Sequence, residues 1–211
     1  MTVILYVEGG GDHNKALDSR CREGFRKFIE KSGLTGRMPR IVACGGRHNA
    51  FESFRTALRR READRICLLL VDSEGPVQVQ NPWDHVSRRV GDEWQRPEAA
   101  GNDQLHLMVQ AMEAWFYADL DRVASFYGPG FQRTALTGRA DIESIPKAEL
   151  IAGLKRATAG CEKKGPYSKG DHSFALLGGI SPQRVRASSP WSARFLDVLN
   201  RFLTPPVQEP R

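Results

Sequence analysis

Four carboxylates placed where two short apolar stretches run out are the groups in this 211-residue chain best suited to chemistry. One pair flanks three glycines in Val7-Glu8-Gly9-Gly10-Gly11-Asp12; the other, Asp72 and Glu74, lies in Leu70-Val71-Asp72-Ser73-Glu74-Gly75. Consecutive glycines let a backbone turn tightly and approach a ligand, and the start of a following helix favours anions. A dinucleotide-binding turn would read GxGxxG, and a P-loop would end in Gly-Lys-Ser/Thr; neither pattern stands here. Carboxylates on both sides of the glycines repel a phosphate unless a cation intervenes. The pattern therefore points to a hard divalent metal with oxygen ligands, Mg2+ or Mn2+. Residues two apart in extended chain face one side, so Asp72 and Glu74 could reach one cation if the strand stays extended. The competing reading is a plain glycine turn, with Asp12 capping a helix and Glu8 in a salt bridge.

Such a site needs elements that bring residues 8 and 72 together. Thr2 to Val7 is a short β-branched and apolar run, the pattern of a buried strand. Leu17, Cys21, Phe25, Phe28 and Ile29 then recur at helical spacing, predicting a helix from about Asn14 to Lys31. Arg40–Cys44 predicts a second strand, Phe51, Phe54, Ala57 and Leu58 mark a second helix, and Arg65–Asp72 predicts the third and most apolar strand. Buried strands alternating with amphipathic helices imply a parallel sheet with right-handed crossovers, whose ligands sit at the carboxyl ends of the strands. Residues 75–104 show no period and predict a lid, a binding loop or an element that periodicity does not reveal. Leu105–Val109 predicts a fourth strand, followed by a helix through Met112, Trp115 and Phe116. From Asp121 the pattern is helical, with Ser181-Pro182 and Ser189-Pro190 as helix starts. The expected fold is α/β: a Rossmann-like core over 1–120, a helical part over 121–203 packed on it, and a tail at 204–211.

Composition narrows the function classes. With 31 Lys+Arg, 25 Asp+Glu and 40% hydrophobic residues, the chain is an ordinary globular one. Its apolar runs are too short to cross a membrane, and no secretory signal follows Val7. Cys21, Cys44, Cys67 and Cys161 show no CxxC pairing, so neither a zinc site nor a disulfide framework is expected, and the compartment is read as a reducing cytoplasm. The net charge of +6 belongs wholly to residues 132–211, because residues 1–131 balance to zero. That part holds Lys163-Lys164-Gly165-Pro166-Tyr167-Ser168-Lys169-Gly170-Asp171-His172-Ser173. Its lysines suit phosphates, Tyr167 could stack on a base, and His172 could move a proton. A solvated loop with Ser173 as a cap is the alternative. Arg47 and His48, after the second strand's glycines, could face the same edge, as could His13. His85 and His106 read as structural.

VEGGGD after a first strand and VDSEG after a third resemble the Toprim family of topoisomerases, primases and overcoming-lysogenization-defect nucleases. That family carries a Glu after the first strand and an Asp-x-Asp after the third; here Glu74 replaces the second Asp. VEGGGD, RIVACGGR, LLLVDSEGP, HLMVQAMEAWFYAD and KGDHSFALL make the chain more similar to a bacterial Toprim-like family, domain of unknown function 4276. The resemblance implies an Mg2+-dependent nuclease acting on DNA or RNA, and an effector role in bacterial anti-phage defence. It implies Glu8, Asp72 and Glu74 as metal ligands, with Asp12 and Glu113 as further ones. Lys169 and His172 match the family's KGxHSF segment: Lys169 would stabilise transition-state charge and His172 protonate the leaving oxygen, while Lys163, Lys164, Tyr167 and Arg47 would grip the nucleic acid. Glu8 could instead act as a general base, and Glu113 could be an ordinary helix-start Glu. Two alternatives stand beside this reading: a regulatory or binding subunit whose site is silent until a separate ABC-type ATPase arrives, and a small nucleotide or phosphate hydrolase.

Overall fold

A computed structural model of the chain describes residues 1–11, 14–34 and 36–204. Four strands, β1 (Thr2–Val7), β2 (Arg40–Ala43), β3 (Arg65–Asp72) and β4 (Leu105–Met108), form one parallel sheet in the order β2-β1-β3-β4. The expected α/β fold with a parallel sheet flanked by helices is the fold observed. Helix α1 (Lys15–Ile29) leads from β1 to β2, and α2 (Arg47–Arg59) from β2 to β3. Chain direction across the sheet therefore reverses between β1 and β3, the position at which open α/β sheets form a ligand crevice beyond the strand ends. Glu8 follows β1 there, its amide bonded to the Leu70 carbonyl at 2.9 Å, and Asp72 ends β3 there.

Alternating strand residues feed two cores. Val3, Leu5, Val7, Leu68 and Leu70 pack with Phe25, Phe28 and Ile29 of α1 on one face. Ile4, Tyr6, Cys67, Leu69 and Val71 pack with Phe51, Phe54 and Ala57 of α2 on the other. The chain after β4 contributes α4 (Ala114–Tyr117), α5 (Leu120–Tyr127), α6 (Lys147–Thr158), α7 (Lys169–Gly179), α8 (Pro182–Ser188) and α9 (Pro190–Leu203). Their buried residues, among them Trp115, Leu150, Phe174, Leu177 and Phe195, join the α1 core rather than forming a separate one. Most of the expected tail, 205–211, lies outside the described residues. Among the described residues no helix is long and apolar enough to cross a membrane.

Close approach of α7 to α1 depends on Gly24. A Cβ there would lie 2.6 Å from the Phe174 carbonyl oxygen and 3.1 Å from its Cα, both backbone atoms that cannot rotate aside. Alanine normally favours a helix over glycine by about 1 kcal/mol, whereas overpacking costs about 1–3 kcal/mol. Gly24→Ala is therefore expected to lower stability despite its better helix propensity. Urea denaturation checks this; an unchanged or raised midpoint contradicts it.

Residues 75–104 are not a structureless lid. They contain α3 (Pro82–Arg88), which Asn81 caps through the Trp83 amide at 3.1 Å. Only Trp83 and Val86 face the second core from α3, too few positions to produce a visible period. His85 Nε2 lies 2.9 Å from the Ser73 carbonyl oxygen and ties α3 to the end of β3, which fits its structural reading. Trp94, further along, stacks on Phe51 at 4.3 Å between ring centroids. The seventh helix also differs from expectation. It begins at Lys169, so Ser173 is inside it, buried, with its hydroxyl donating to the Lys169 carbonyl rather than capping the helix start.

Candidate metal centre

The loops after β1 and β2 are tied to each other by reciprocal Gly9–Gly45 amide-to-carbonyl bonds of 2.9 Å. Gly9 has φ +138°, and a Cβ there would press on Cys21 and the Phe174 ring at 3.1–3.2 Å, so only glycine fits this turn. The turn aims Glu8 at β3. Its Oε2 accepts the Asp72 amide at 3.0 Å and lies 3.5 Å from Arg47 Nη1. Asp72 is 2% exposed, and its Oδ1 accepts the Met112 amide at 2.8 Å. One oxygen of each carboxylate is thus held by backbone, which leaves the other free to ligate.

Glu74 completes the cluster by an unexpected route. The chain does not stay extended past Asp72: Ser73 is buried, its Oγ accepting the Gln110 amide at 2.7 Å, and Glu74 takes φ +65°. Gln110, beyond the end of β4, has the same positive φ. Positive φ at two non-glycine residues is backbone strain of the kind that gathers at functional sites. The turn swings Glu74 back, and ligand oxygens of Glu8, Asp72 and Glu74 all lie within 4.8 Å of one another. A cation bonded at about 2 Å to two oxygens spans at most about 4 Å between them, so a small side-chain adjustment brings these three onto one cation.

Burial shapes the charge state of this cluster. It pushes the Asp72 carboxyl up to about 7, with the Glu8 charge adding to the effect and Lys169 opposing it. Glu8 is raised for the same first reason, against the pull of Arg47. Two ammonium groups approach the carboxylates. Lys147 at the start of α6 puts Nζ 2.5 Å from Glu74 and 4.0 Å from Asp72, while Lys169 Nζ stands 3.7 Å from Asp72 and 3.8 Å from Glu113. The longer Lys169 contacts and its half-exposed side chain leave it free to turn toward an arriving anion.

Glu113 sits behind Lys169 with no exposure at all. Its Oε1 accepts the Tyr167 hydroxyl at 2.8 Å, and its buried Oε2 has no hydrogen-bond partner among the described residues. An orphaned buried carboxylate oxygen and three converging acidic groups, all hard oxygen donors, fit a divalent cation well. Glu113 is not among the three residues whose oxygens converge within 4.8 Å. Asp12 and His13 lie outside the described residues.

Several expected contacts with nucleic acid take a different form. Tyr167 is 3% exposed and spends its hydroxyl on Glu113, so its ring cannot stack on a base. Arg47 is turned inward: Nε and Nη2 grip the two carboxylate oxygens of Asp92 at 2.7 and 2.5 Å, and Nη1 reaches the Asp72 carbonyl. It braces the site instead of facing a phosphate. His172 takes the Ser168 amide on Nδ1 at 3.2 Å, lies 3.0 Å from the Tyr127 hydroxyl oxygen, and is held below its usual pKa by burial. It contacts none of Glu8, Asp72, Glu74 and Glu113 and supports the start of α7, which carries Lys169. Lys163 and Lys164 are exposed, Lys164 lying 4.2 Å above the Phe126 ring, and His48 is exposed as well. His106 is buried and contacts Arg194 at 3.1 Å, which matches a structural role.

The sequence pattern missed Lys147 and Asp92. Lys147 follows Ile145-Pro146 at an unremarkable helix start, and Asp92 lies in the aperiodic segment. Neither carries a motif, and only folding brings them to the carboxylates. A family model described as Domain of unknown function (DUF4276) matches residues 7–200. Comparison with curated proteins and with solved structures finds no match.

Proposed function

We propose, for a chain that belongs to the DUF4276 family, that it is an Mg2+- or Mn2+-dependent phosphodiesterase acting on nucleic acid, with a Toprim-like centre. The observation that carries this reading is the convergence of Glu8, Asp72 and Glu74 within 4.8 Å at the β1–β3 crevice. Support for the Toprim relationship is the placing of Glu8 after β1 and Asp72 at the end of β3 of a parallel sheet. The chemistry a bound divalent ion supplies is polarisation of the scissile phosphate and activation of water. The chain's own residues do the rest. Glu8 and Asp72 present their unpinned oxygens as ligands, and Glu74 adds a third. Lys169, loosely held between Asp72 and Glu113, would donate to a phosphate oxygen and stabilise charge that develops there. Tyr167 fixes Glu113, and Glu113 in turn holds Lys169 at the rim.

The test is incubation with single- and double-stranded DNA and with RNA in Mg2+ or Mn2+, beside Glu8→Gln. Metal-dependent cleavage that Glu8→Gln abolishes is the expected result, and cleavage that survives the substitution overturns it. Turnover of free nucleotides but not polymers would instead establish a small-molecule hydrolase.

Lys147 gives one specific ground for the second reading, a site kept silent until a partner arrives. Its ammonium occupies the ligand side of Glu74 at 2.5 Å and competes with a metal. A partly exposed ion pair contributes up to about 1 kcal/mol. Lys147→Ala is thus expected to tighten Mn2+ binding by up to about fivefold in isothermal titration. Weaker binding in the variant would show that Lys147 does not compete.

A further inference from the structure

We infer that Asp92 is a positioning residue of this centre, acting through Arg47, and that the turn over residues 89–94 exists to hold Glu8 in its ligating pose. The inference rests on the metal reading proposed above and adds a residue that neither motif nor family match assigns.

The chain of contacts is continuous. Glu8 uses Oε2 on the Asp72 amide at 3.0 Å and on Arg47 Nη1 at 3.5 Å. Arg47 reaches the carbonyl of Asp72 with the same Nη1. One guanidinium nitrogen thus touches both strand ends that supply the metal ligands, and its angle sets where Glu8 points. What fixes that angle is Asp92, whose two carboxylate oxygens take Nε and Nη2 in a bidentate fork of 2.7 and 2.5 Å. A fork constrains the plane of a guanidinium as well as its distance. The Trp94 ring fixes the remaining freedom, lying 4.7 Å from the guanidinium carbon and itself stacked on Phe51 of α2. Arg47 and Asp92 are both shielded from water, their side chains 12% and 2% exposed, so the fork has little aqueous competition.

The turn that presents Asp92 is built for that purpose. Gly91 and Glu93 on either side both have positive φ, and the Asp92 and Glu93 amides donate to the Arg89 carbonyl at 3.1 and 3.2 Å. Arg89 adds a second guanidinium to Asp92 at 2.9 Å, which keeps the carboxylate neutralised in its buried place. The Trp94 amide returns to the Val86 carbonyl at 3.3 Å, fastening the turn to α3. His85 of α3 holds Ser73, the residue between the two β3 ligands, through the Ser73 carbonyl. One short segment therefore braces the site from both sides.

Groups that orient metal ligands without touching the metal alter affinity about 10–100-fold when removed. The experiment measures Mn2+ binding to the full chain by electron paramagnetic resonance, for the wild type, Asp92→Asn and Asp92→Glu. Asp92→Asn, which cannot present two anionic oxygens, is expected to weaken Mn2+ at least about tenfold, with partial recovery in Asp92→Glu. A protein merely loosened by the substitution would show no such recovery. Asp92→Asn binding within twofold of the wild type overturns the inference while leaving the metal centre standing. A wild type that takes up no Mn2+ overturns the metal reading and this inference with it. If Asp92→Asn does not fold, Trp94→Leu removes the aromatic plane beneath Arg47 without stranding a charge. Weakened Mn2+ binding in that variant supports the bracing role, and unchanged binding overturns it.

Discussion

Asp72→Asn is expected to abolish Mn2+ binding and to reduce metal-dependent cleavage of nucleic acid by on the order of 10³-fold, the scale on which single preorganised electrostatic groups act. Asp72 is the centre of the cluster, the residue that links Glu8, Glu74 and Lys169. Its backbone amide binds Glu8, its Oδ1 is spent on the Met112 amide, and its Oδ2 faces both lysines. An asparagine keeps the amide acceptor and the shape but loses the anionic oxygen that a hard cation needs. The backbone bonds should therefore survive, so the loss will read on metal and turnover more than on structure. Binding measured by paramagnetic resonance, with cleavage followed on labelled oligonucleotides, decides it. A variant that retains more than about a tenth of wild-type turnover would remove Asp72 from the chemistry.

The same substitution is expected to stabilise the metal-free protein at neutral and higher pH, by up to about 4 kcal/mol. Burial lifts Asp72 from an ordinary 3.8 to about 7. The folded state consequently binds more protons than the unfolded one between those values, and stability falls as pH rises through that window. Three pH units at about 1.4 kcal/mol each give the figure. Wild-type slope alone will not reveal it. His106, held down to about 3 by burial and the neighbouring Arg194, contributes the opposite trend from about pH 3 to its ordinary 6.5. The informative quantity is the difference between the two proteins, which should be small near pH 4 and grow to its full value by pH 8. Chemical denaturation in chelator across that range measures it; a wild type more stable than Asp72→Asn at pH 8 contradicts it. Added Mg2+ should then narrow the difference by stabilising only the wild type, by about 2.7 kcal/mol at a hundred times its dissociation constant.

A carboxylate whose burial costs stability in the free protein supports the proposed metal site, because a bound cation would offset that cost. Arg47 and Asp92 differ in this respect, since each neutralises the other, and separating them would leave a buried charge at a cost of about 3–5 kcal/mol. Burial is thus offset for the Arg47–Asp92 pair, whereas the buried Asp72 carboxylate strains the fold.

The sequence by itself determined the strands, their parallel pairing and the two ends at which Glu8 and Asp72 emerge. It could do so because each strand is a run of β-branched and apolar residues whose faces alternate between two cores, and each crossover helix repeats its apolar face many times. The family resemblance of the KGDHSF segment also pointed to Lys169, although the helical pattern placed that residue before the helix it begins. Tertiary structure alone decided the rest. Glu74 reaches the cluster through a left-handed turn that no alternation encodes. Tyr167 and Arg47, expected to contact nucleic acid, proved to be interior braces, because burial depends on what packs above a residue and not on its type. Lys147 and Asp92 come from distant, motif-free segments, 75 and 20 positions from Asp72. Local periodicity records how a segment meets the core; the charge balance of a buried site is fixed only when remote segments close over it.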